Sequence, residues 1–394
     1  MAVDIIYRQK TELERLLTKK IIPREGVKES KKWLDNSLIK VITGPRRAGK
    51  SIYGLQLLNG ENFGYLNFDN EEVMQIRDHG KIIDLLEEAY PKVKYYFFDE
   101  IQNLPKWELF ANTMQRRGYI QVITGSNAKL LSGDLATHLT GRYYPIEVST
   151  FSFNEYLAVK GDNYPRKQLA EYLKTGGYPE LVIGETDSIN YLDNLREATV
   201  YKDIVRRYKV KYAQEFSNLV RLLSASYTKQ ISLRNIGETI GIGSYHTLNK
   251  YLDYLFQTYL FIPLERFSFK TREQIKLPKK VYFPDTGFNL LNNSLSPDWG
   301  KLMENVVFLA LVRQGFRPNM ELFYYQTRNG KEVDFVIKKG LNIDQLIQVC
   351  YDLTDLKTKK RELSALEEAG EELKCENKKI ITMDNLGEFL LQLK

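Results

Sequence analysis

Residues that commonly bind structural metals are scarce in this chain of 394 residues. It contains only two cysteines, Cys350 and Cys375, and three histidines. No two of these five residues stand at the spacing that zinc ligands need. We therefore expect no structural zinc site and no disulfide framework, and we expect both cysteines to be buried or bystander thiols.

Long apolar runs are also missing. Residues 306–312 form a representative apolar stretch of seven residues, far short of the roughly 18 needed to span a bilayer. The first residues include Asp4 and lack an apolar segment followed by a small-residue cleavage site, so they predict no export signal. We expect a cytoplasmic protein that does not cross a membrane.

The composition is that of a folded globular protein, with 43% hydrophobic and 27% charged residues. At roughly 100–200 residues per domain, the length predicts about two to four domains. Positive charge is concentrated in residues 196–280, which hold 16 lysines and arginines against 7 aspartates and glutamates. Since the whole chain carries a formal net charge of only +7, this basic block indicates an anionic partner, with DNA favoured, or simply a solvated surface.

The strongest chemical pattern lies at residues 38–58, where an apolar strand, a glycine-rich loop and a helix follow one another. The loop has the form G-x-x-x-x-G-K-[ST], whose backbone N–H groups cradle phosphates. We expect it to bind a nucleoside triphosphate through Gly44, Pro45, Arg46, Arg47, Ala48, Gly49, Lys50 and Ser51. Lys50 would reach the β and γ oxygens and assist catalysis, and Ser51 would ligate Mg²⁺.

Two further strands end in polar residues suited to hydrolysis. Residues 94–98 run into Asp99, which we expect to hold Mg²⁺, and Glu100, which we expect to act as general base. Residues 119–124 precede Ser126 and Asn127, and we favour Asn127 as the group that senses the γ-phosphate or the attacking water. Ser126 is the alternative, and a serine–asparagine turn is also ordinary loop chemistry.

One arginine stands apart from these groups. Arg142 precedes a strand predicted at residues 143–148. In that position it could face the nucleotide of a neighbouring subunit, where an arginine stabilises the charge of the transition state. This interpretation predicts a homo-oligomer.

The order of these motifs resembles that of the AAA+ ATPases. More narrowly, the phrases DEIQNLPKWE, TGSNAKLLS, LTGRYYPIE, TGGYPE and KKVYFPDTGF are similar to those of prokaryotic AAA-type ATPases with a C-terminal nuclease-like domain of unknown function. The resemblance covers most of the chain. It implies ATP as the nucleotide and a five-stranded parallel sheet in the order 5-1-4-3-2, with residues 63–68 as the second strand.

The rest of the chain predicts three further parts of an α/β protein. After the P-loop core (1–150, with a helical extension at its start), helices at 153–160, 166–175 and from 188 toward 210 predict a helical lid (151–211). Arg206 or Arg207 could return to the nucleotide from this lid, or could simply be surface charge. A winged-helix module is predicted at 212–275, and a restriction-endonuclease-like α/β domain at 276–394.

The predicted helix-turn-helix has one apolar and one polar face. Ser232 and Ser244 are expected to cap two short helices, which residues 241–243 separate. The second helix places Leu248, Tyr251, Leu252 and Leu255 on its apolar face. Its polar face, Tyr245, His246, Asn249 and Lys250, is suited either to DNA or to docking against another domain.

The C-terminal pattern has the helix and strand order of a nuclease-like fold, with incomplete chemistry. Glu304 and Asp334 match two acidic positions, but Gln348 replaces the third acid and Cys350 the expected lysine. We therefore predict an inactive domain, with a weakly held metal on Glu304 and Asp334 left open.

Three functions are compatible with these patterns. The first is an oligomeric ATPase that acts on DNA. The second is a nucleotide-gated switch or protein-binding module with slow turnover. The third is a nuclease regulated by ATP.

Overall fold

The computed structural model describes residues 2–18, 21–76, 78–128, 139, 141–161, 165–184, 186–292 and 296–392. Thr140 and residues 129–132, which belong to two of the family phrases, lie outside these ranges. The chain forms two compact units, Met1–Phe151 and Ser152–Lys394. The finer division into four domains stays a prediction.

Unit 1 is built on a five-stranded parallel sheet. Its strands are β1 (Ile39–Thr43), β2 (Phe63–Asn67), β3 (Tyr95–Asp99), β4 (Ile120–Gly125) and β5 (Tyr143–Glu147). They lie in the order β2-β3-β4-β1-β5, and every neighbouring pair is parallel. Counted from the other edge this is the expected order 5-1-4-3-2, so the sheet implied by the resemblance is confirmed.

Helices cover both faces of this sheet, which is why β1, β3 and β4 are buried along their whole length. Adjacent side chains point to opposite faces, and Phe97 and Phe98 accordingly belong to separate apolar clusters. The helices are α1 (Ala2–Leu17), α2 (Val27–Lys31), α3 (Lys50–Leu57), α4 (Glu71–Met74), α5 (His79–Ala89) and α6 (Trp107–Arg116).

Unit 2 begins with helices. These are α7 (Phe153–Lys160), α8 (Pro165–Thr175), α9 (Pro179–Ile183), α10 (Ser188–Glu197), α11 (Ala213–Ala225), α12 (Leu233–Ile240), α13 (Tyr245–Gln257) and α14 (Thr271–Gln274). The helix predicted from residue 188 toward 210 continues beyond α10 as a π-helical segment, Ala198–Arg206. Its hydrogen bonds span five residues rather than four, a distinction that apolar periodicity does not reveal.

Two sheets complete unit 2. Strands β6 (Gln230–Ile231), β7 (Ile262–Glu265) and β8 (Lys279–Tyr282) form an antiparallel sheet in the order β6-β8-β7. The second sheet has the order β12-β11-β10-β9 and is antiparallel except for the pair β11–β12. Its elements are α15 (Trp299–Arg313), β9 (Leu322–Gln326), β10 (Glu332–Lys339), β11 (Asn342–Val349), α16 (Leu356–Leu373), β12 (Lys378–Ile381) and α17 (Met383–Leu391).

A buried carboxylate joins two of the family phrases inside unit 2. Asp285, in the phrase KKVYFPDTGF, accepts hydrogen bonds from the backbone N–H groups of Gly177 (2.8 Å) and Gly287 (2.9 Å). Gly176 has a φ of +76°, and a Cβ atom there would lie 1.6 Å from Asp285 Oδ1. The phrase TGGYPE therefore needs glycine at this point for both its backbone conformation and its close packing.

Candidate functional site

The phosphate loop connects β1 to α3, as its sequence predicts. Gly49 precedes the helix with a φ of 90°, so α3 begins at Lys50. Gly44 approaches the chain after β5 so closely that a Cβ atom would lie 2.0 Å from the carbonyl oxygen of Val148. Only glycine fits this contact, which positions the start of the loop against the sheet.

Lys50 lies folded over the loop. Its ammonium group donates hydrogen bonds to the carbonyl oxygens of Pro45 (2.9 Å) and Gly44 (3.2 Å), and the residue is 4% exposed. Within the same loop, Ala48 is buried, Arg46 is half-buried and Arg47 is exposed. A compact cation held among loop carbonyls is suited to a bound phosphate, because the anion would satisfy it better than neutral oxygens do.

Ser51 and Asp99 meet at the carboxyl ends of the strands. Ser51 Oγ donates a hydrogen bond of 2.9 Å to Asp99 Oδ1. Thr124, at the end of β4, donates to the same oxygen, and Tyr65 Oη lies 3.4 Å from Asp99 Oδ2. Burial is the main cause that raises the pKa of Asp99, and the adjacent Glu100 carboxylate adds to it.

This donor set fits Mg²⁺. A hydroxyl and a carboxylate oxygen stand side by side beside the lysine of the phosphate loop, and Mg²⁺ prefers one or two such hard oxygen ligands together with substrate phosphates. Ser51 and Asp99 would therefore hold the ion, as the sequence predicts.

Glu100 follows directly after β3 and has a left-handed backbone. It has a φ of 50°, and its backbone N–H donates to Thr124 Oγ1 at 3.0 Å. Its Oε2 accepts hydrogen bonds from Gln102 Nε2 and, at 3.4 Å, from Ser126 Oγ. These contacts fix the carboxylate at the same sheet edge as Ser51 and Asp99.

Asn127 is buried two residues beyond the end of β4. Between the two alternatives for a sensing residue, Ser126 is the one that contacts the Glu100 side chain. The sensing role of Asn127 stays a prediction.

Arg142 lies apart from the site of its own chain. It is exposed and precedes β5 by one residue, at the amino end of the parallel strands. Its Nη1 lies 3.5 Å from Asn112 Oδ1. The phosphate loop leaves the carboxyl end of β1. About five residues of strand, or roughly 16 Å, therefore separate Arg142 from the end of the strands at which the loop lies.

Arg206 and Arg207 are both exposed, at the end of the π-helical segment in unit 2. Whether either contacts a nucleotide stays a prediction.

The two faces of α13 are divided as the pattern predicts. Leu248, Tyr251, Leu252 and Leu255 are buried. Tyr245, His246 and Lys250 are exposed, whereas Asn249 is half-buried and donates a hydrogen bond from Nδ2 to the Tyr245 carbonyl oxygen at 3.0 Å. Ser232 and Ser244 cap α12 and α13 through their side-chain oxygens, so this pair of helices presents a polar surface at the start of α13.

The C-terminal acids Glu304 and Asp334 come together, but around a lysine. Lys280, from β8, lies with its Nζ 2.8 Å from Glu304 Oε1, 2.6 Å from Glu332 Oε1 and 3.4 Å from Asp334 Oδ1. Gln348 turns its amide nitrogen to Glu362 Oε2 at 2.7 Å. Throughout the described ranges, no three His, Cys, Asp or Glu residues are arranged to hold a metal ion. The two acids for which a weakly held metal is left open thus both contact the Lys280 ammonium.

Both cysteines are buried and free. Burial raises the pKa of the Cys350 thiol, so this residue cannot replace the charge of the lysine expected there.

Sequence reasoning missed several residues around the P-loop site and the C-terminal acids. Thr124 and Gln102 contact the two carboxylates, Arg24 contacts the phosphate loop, and Lys280 occupies the C-terminal cluster. Thr124 had a usable signal, because it ends the strand that the resemblance places next to Asp99. Gln102 follows Glu100 by two residues, but residue types alone do not show that their side chains meet. Arg24 and Lys280 had no signal, since the partners of Arg24 are backbone atoms and those of Lys280 lie far away in the sequence.

Comparison with protein families identifies the domain that carries the phosphate loop. A family described as "AAA domain" matches residues 36–157. Two families described as domains of unknown function, DUF8612 and DUF4143, match residues 166–296 and 299–388. The matched AAA region contains the loop, Asp99, Glu100, Asn127 and Arg142.

Two relatives match most of the chain. The uncharacterized protein MJ1544 of Methanocaldococcus jannaschii is 35% identical over 377 residues, which cover 89% of this chain and 83% of that protein. An uncharacterized protein of Haemophilus influenzae is 30% identical over 362 residues, covering 86% and 89%. This chain belongs to the same family of AAA-domain proteins.

A solved structure of a Walker-type ATPase, PABY2304 of Pyrococcus abyssi, is similar to 69% of this AAA-domain protein and to 95% of that chain, with 13% sequence identity and a TM-score of 0.45. In the part of the chain that the structure describes, no helix is both long and apolar enough to cross a membrane.

Proposed function

We propose that this AAA-domain protein hydrolyses ATP with Mg²⁺, assembles as a homo-oligomer and acts on DNA. The observation that carries the proposal is the 2.9 Å hydrogen bond between Ser51 Oγ and Asp99 Oδ1, with the Glu100 carboxylate at the next residue. The two residues proposed to hold the metal and the residue proposed as base thus lie beside the glycine-rich loop, at the carboxyl ends of the strands. That is the set of groups that phosphoryl transfer to water requires.

Each side chain has a distinct task in this proposal. Ser51 and Asp99 would hold Mg²⁺, which when bound would neutralise part of the phosphate charge. The Lys50 ammonium gives up its hydrogen bonds to the loop carbonyl oxygens and donates to the β and γ phosphate oxygens instead. Glu100 accepts a proton from the attacking water, and Gln102 and Ser126 hold its carboxylate in place.

The oligomer rests on the position of Arg142. This arginine lies at the amino end of β5, whereas the phosphate loop of the same chain follows the carboxyl end of β1. A second subunit that brings its Arg142 to the first subunit's nucleotide would supply the positive charge that the site needs during transfer.

The DNA partner rests on the exposed polar surface of α13 and on the surrounding charge. Tyr245, His246 and Lys250 are exposed at the start of this helix, the part of a recognition helix that contacts DNA. Exposed cations also follow one another at Lys202, Arg206, Arg207, Lys209 and Lys211. Such cations bind phosphates by displacing counterions, which makes the affinity depend on salt.

The proposal is tested by steady-state ATP hydrolysis measured against protein concentration, with and without duplex DNA. We expect specific activity to rise with concentration and with DNA, because a shared site forms only in the assembled state. Lys50→Ala should lower turnover about 100-fold or more. Slow turnover that is linear in protein and indifferent to DNA would instead support the nucleotide-gated switch.

DNA binding has its own test in the salt dependence of affinity. Lys250→Ala should weaken duplex binding and reduce the slope of log K against log salt by about 0.9, since one phosphate contact is lost. Lys360→Ala is the matched control, because Lys360 is an exposed lysine on α16. Equal effects of the two variants, or no affinity for any DNA at low salt, would contradict the proposed partner.

A further inference from the structure

The carboxylates Glu304, Glu332 and Asp334 of the C-terminal domain surround a cation that belongs to the chain itself. Lys280 reaches them from β8, a strand of the other sheet of unit 2, and is 1% exposed. Tyr282, two residues further along β8, donates a hydrogen bond of 2.7 Å to Glu304 Oε1.

The geometry leaves no room for a second cation. Mg²⁺ must lie about 2.0–2.1 Å from its oxygen ligands, whereas the Lys280 ammonium already contacts one oxygen of each of the three carboxylates. A divalent ion there would also meet the lysine charge in a buried site, where repulsion is poorly screened.

Neighbouring polar atoms of Asp334 and Gln348 also have hydrogen-bond partners within the domain. Asp334 Oδ2 accepts a hydrogen bond from the backbone N–H of Val349 at 2.9 Å. Gln348 donates to Glu362 Oε2, and its Oε1 lies 3.4 Å from the backbone nitrogen of Asp334. The carboxamide therefore does not direct a free oxygen toward the centre of the cluster.

The electrostatics of the cluster favour a charged lysine. Burial, together with the carboxylate of Glu304, raises the pKa of Asp334 to about 8. The carboxylates raise the pKa of Lys280 against the opposing effect of burial. The lysine therefore keeps its charge among the three carboxylates despite its burial.

We propose that Lys280 replaces the divalent metal of a nuclease-like centre, so that the C-terminal domain has an internal ammonium where such a centre would bind a metal ion. The cluster then stabilises the packing of the domain and has no catalytic role. Its ion pairs hold β8 against α15 and β10, and Gln230 of β6 adds a 2.7 Å hydrogen bond from Nε2 to Glu332 Oε2.

The test uses Mn²⁺, titrated into the full-length protein without nucleotide and followed by electron paramagnetic resonance. We expect the single variant Asp334→Asn to bind the same number of Mn²⁺ ions as the wild-type protein. Lys280→Ala should gain about one Mn²⁺ per chain, because removal of the ammonium lets the Glu304, Glu332 and Asp334 side chains rearrange around an ion. Adding Asp334→Asn to Lys280→Ala should remove that gain, and Lys279→Ala, on the same strand, should gain none.

Stability provides a second readout that also covers a poorly folding variant. Lys280→Ala should unfold about 5–10 °C below the wild-type protein, since it leaves buried carboxylates without their cation. Mn²⁺ should restore part of this loss and should not raise the unfolding temperature of the wild-type protein through this cluster. Mn²⁺ binding to the wild-type protein that depends on Asp334 would overturn the proposal, as would a folded Lys280→Ala variant that gains no ion.

Discussion

Arg24 donates a hydrogen bond from Nη1 to the carbonyl oxygen of Ala48, across a distance of 2.8 Å. Its Nη2 donates to the carbonyl oxygen of Ser149 at 2.6 Å. The guanidinium also lies over the ring of Phe151, 5.1 Å from its centroid. One buried side chain thus ties the phosphate loop to the chain that follows β5.

We expect Arg24→Ala to weaken ATP binding about 10-fold, because the loop would lose a charged hydrogen bond that fixes its shape. Binding of a fluorescent ATP analogue measures this directly. Arg116→Ala is the control, since Arg116 is exposed on α6 and contacts Thr113. Unchanged affinity of the Arg24 variant would show that the loop keeps its shape without this contact.

The phosphate loop and the Arg24 contact differ in how far the sequence predicts them. Lys50 and Ser51 belong to one local pattern, and the strand ending at Asp99 shows itself as an apolar run. Arg24 lies 24 residues before Ala48 and contacts backbone oxygens, which leave no trace in residue types. Such contacts depend on how elements pack, whereas local periodicity records only which elements form.

The C-terminal domain illustrates the same limit. The sequence pattern predicts the bounds of its helices and strands to within a few residues of those observed. It also predicts that Glu304 and Asp334 lie close together. Lys280 is separated from Asp334 by 54 residues and stands in a short strand beside a second lysine. Only the packing of β8 against β10 distinguishes the buried Lys280 from its half-exposed neighbour Lys279.

Gln102 is expected to act as a positioning residue for Glu100. Glu100→Gln should keep ATP affinity and lower turnover about 100-fold or more, since the amide cannot accept the proton. Gln102→Ala should lower kcat by about 10-fold and leave KM nearly unchanged, because the base remains but its carboxylate is less well held. Gln115→Ala, in which a hydrogen bond to Ser37 is lost, is the control for a general loss of packing. A Glu100→Gln variant with normal turnover would show that the base lies elsewhere.

Arg142 can be tested by mixing two inactive variants. Arg142→Ala alone should lower turnover about 1000-fold if the arginine completes a neighbour's site, and Lys50→Ala should be inactive for lack of phosphate binding. In mixed oligomers, an intact phosphate loop from the first variant meets an intact Arg142 from the second. We therefore expect the mixture to regain activity that neither protein has alone. A mixture that regains none, although the two variants are shown to co-assemble, would contradict the shared site.

Gly176 and Gly241 form a matched pair for testing the contact between two of the family phrases. Both have a left-handed backbone, with φ values of +76° and +77°. A Cβ atom at Gly241 would meet no heavy atom within 4 Å, whereas one at Gly176 would lie 1.6 Å from Asp285 Oδ1. Alanine should therefore cost about 1–2 kcal/mol at either position through backbone strain alone.

At Gly176 a second cost is expected. The Asp285 carboxylate must move to make room for the methyl group. It then loses its hydrogen bonds to the N–H groups of Gly177 and Gly287, both of which are buried. We expect Gly176→Ala to lower the free energy of unfolding of unit 2 by about 4–5 kcal/mol. Urea unfolding of the full-length variants, followed by circular dichroism, measures the difference. Equal losses for the two alanine variants would mean that the contact with Asp285 contributes nothing to stability.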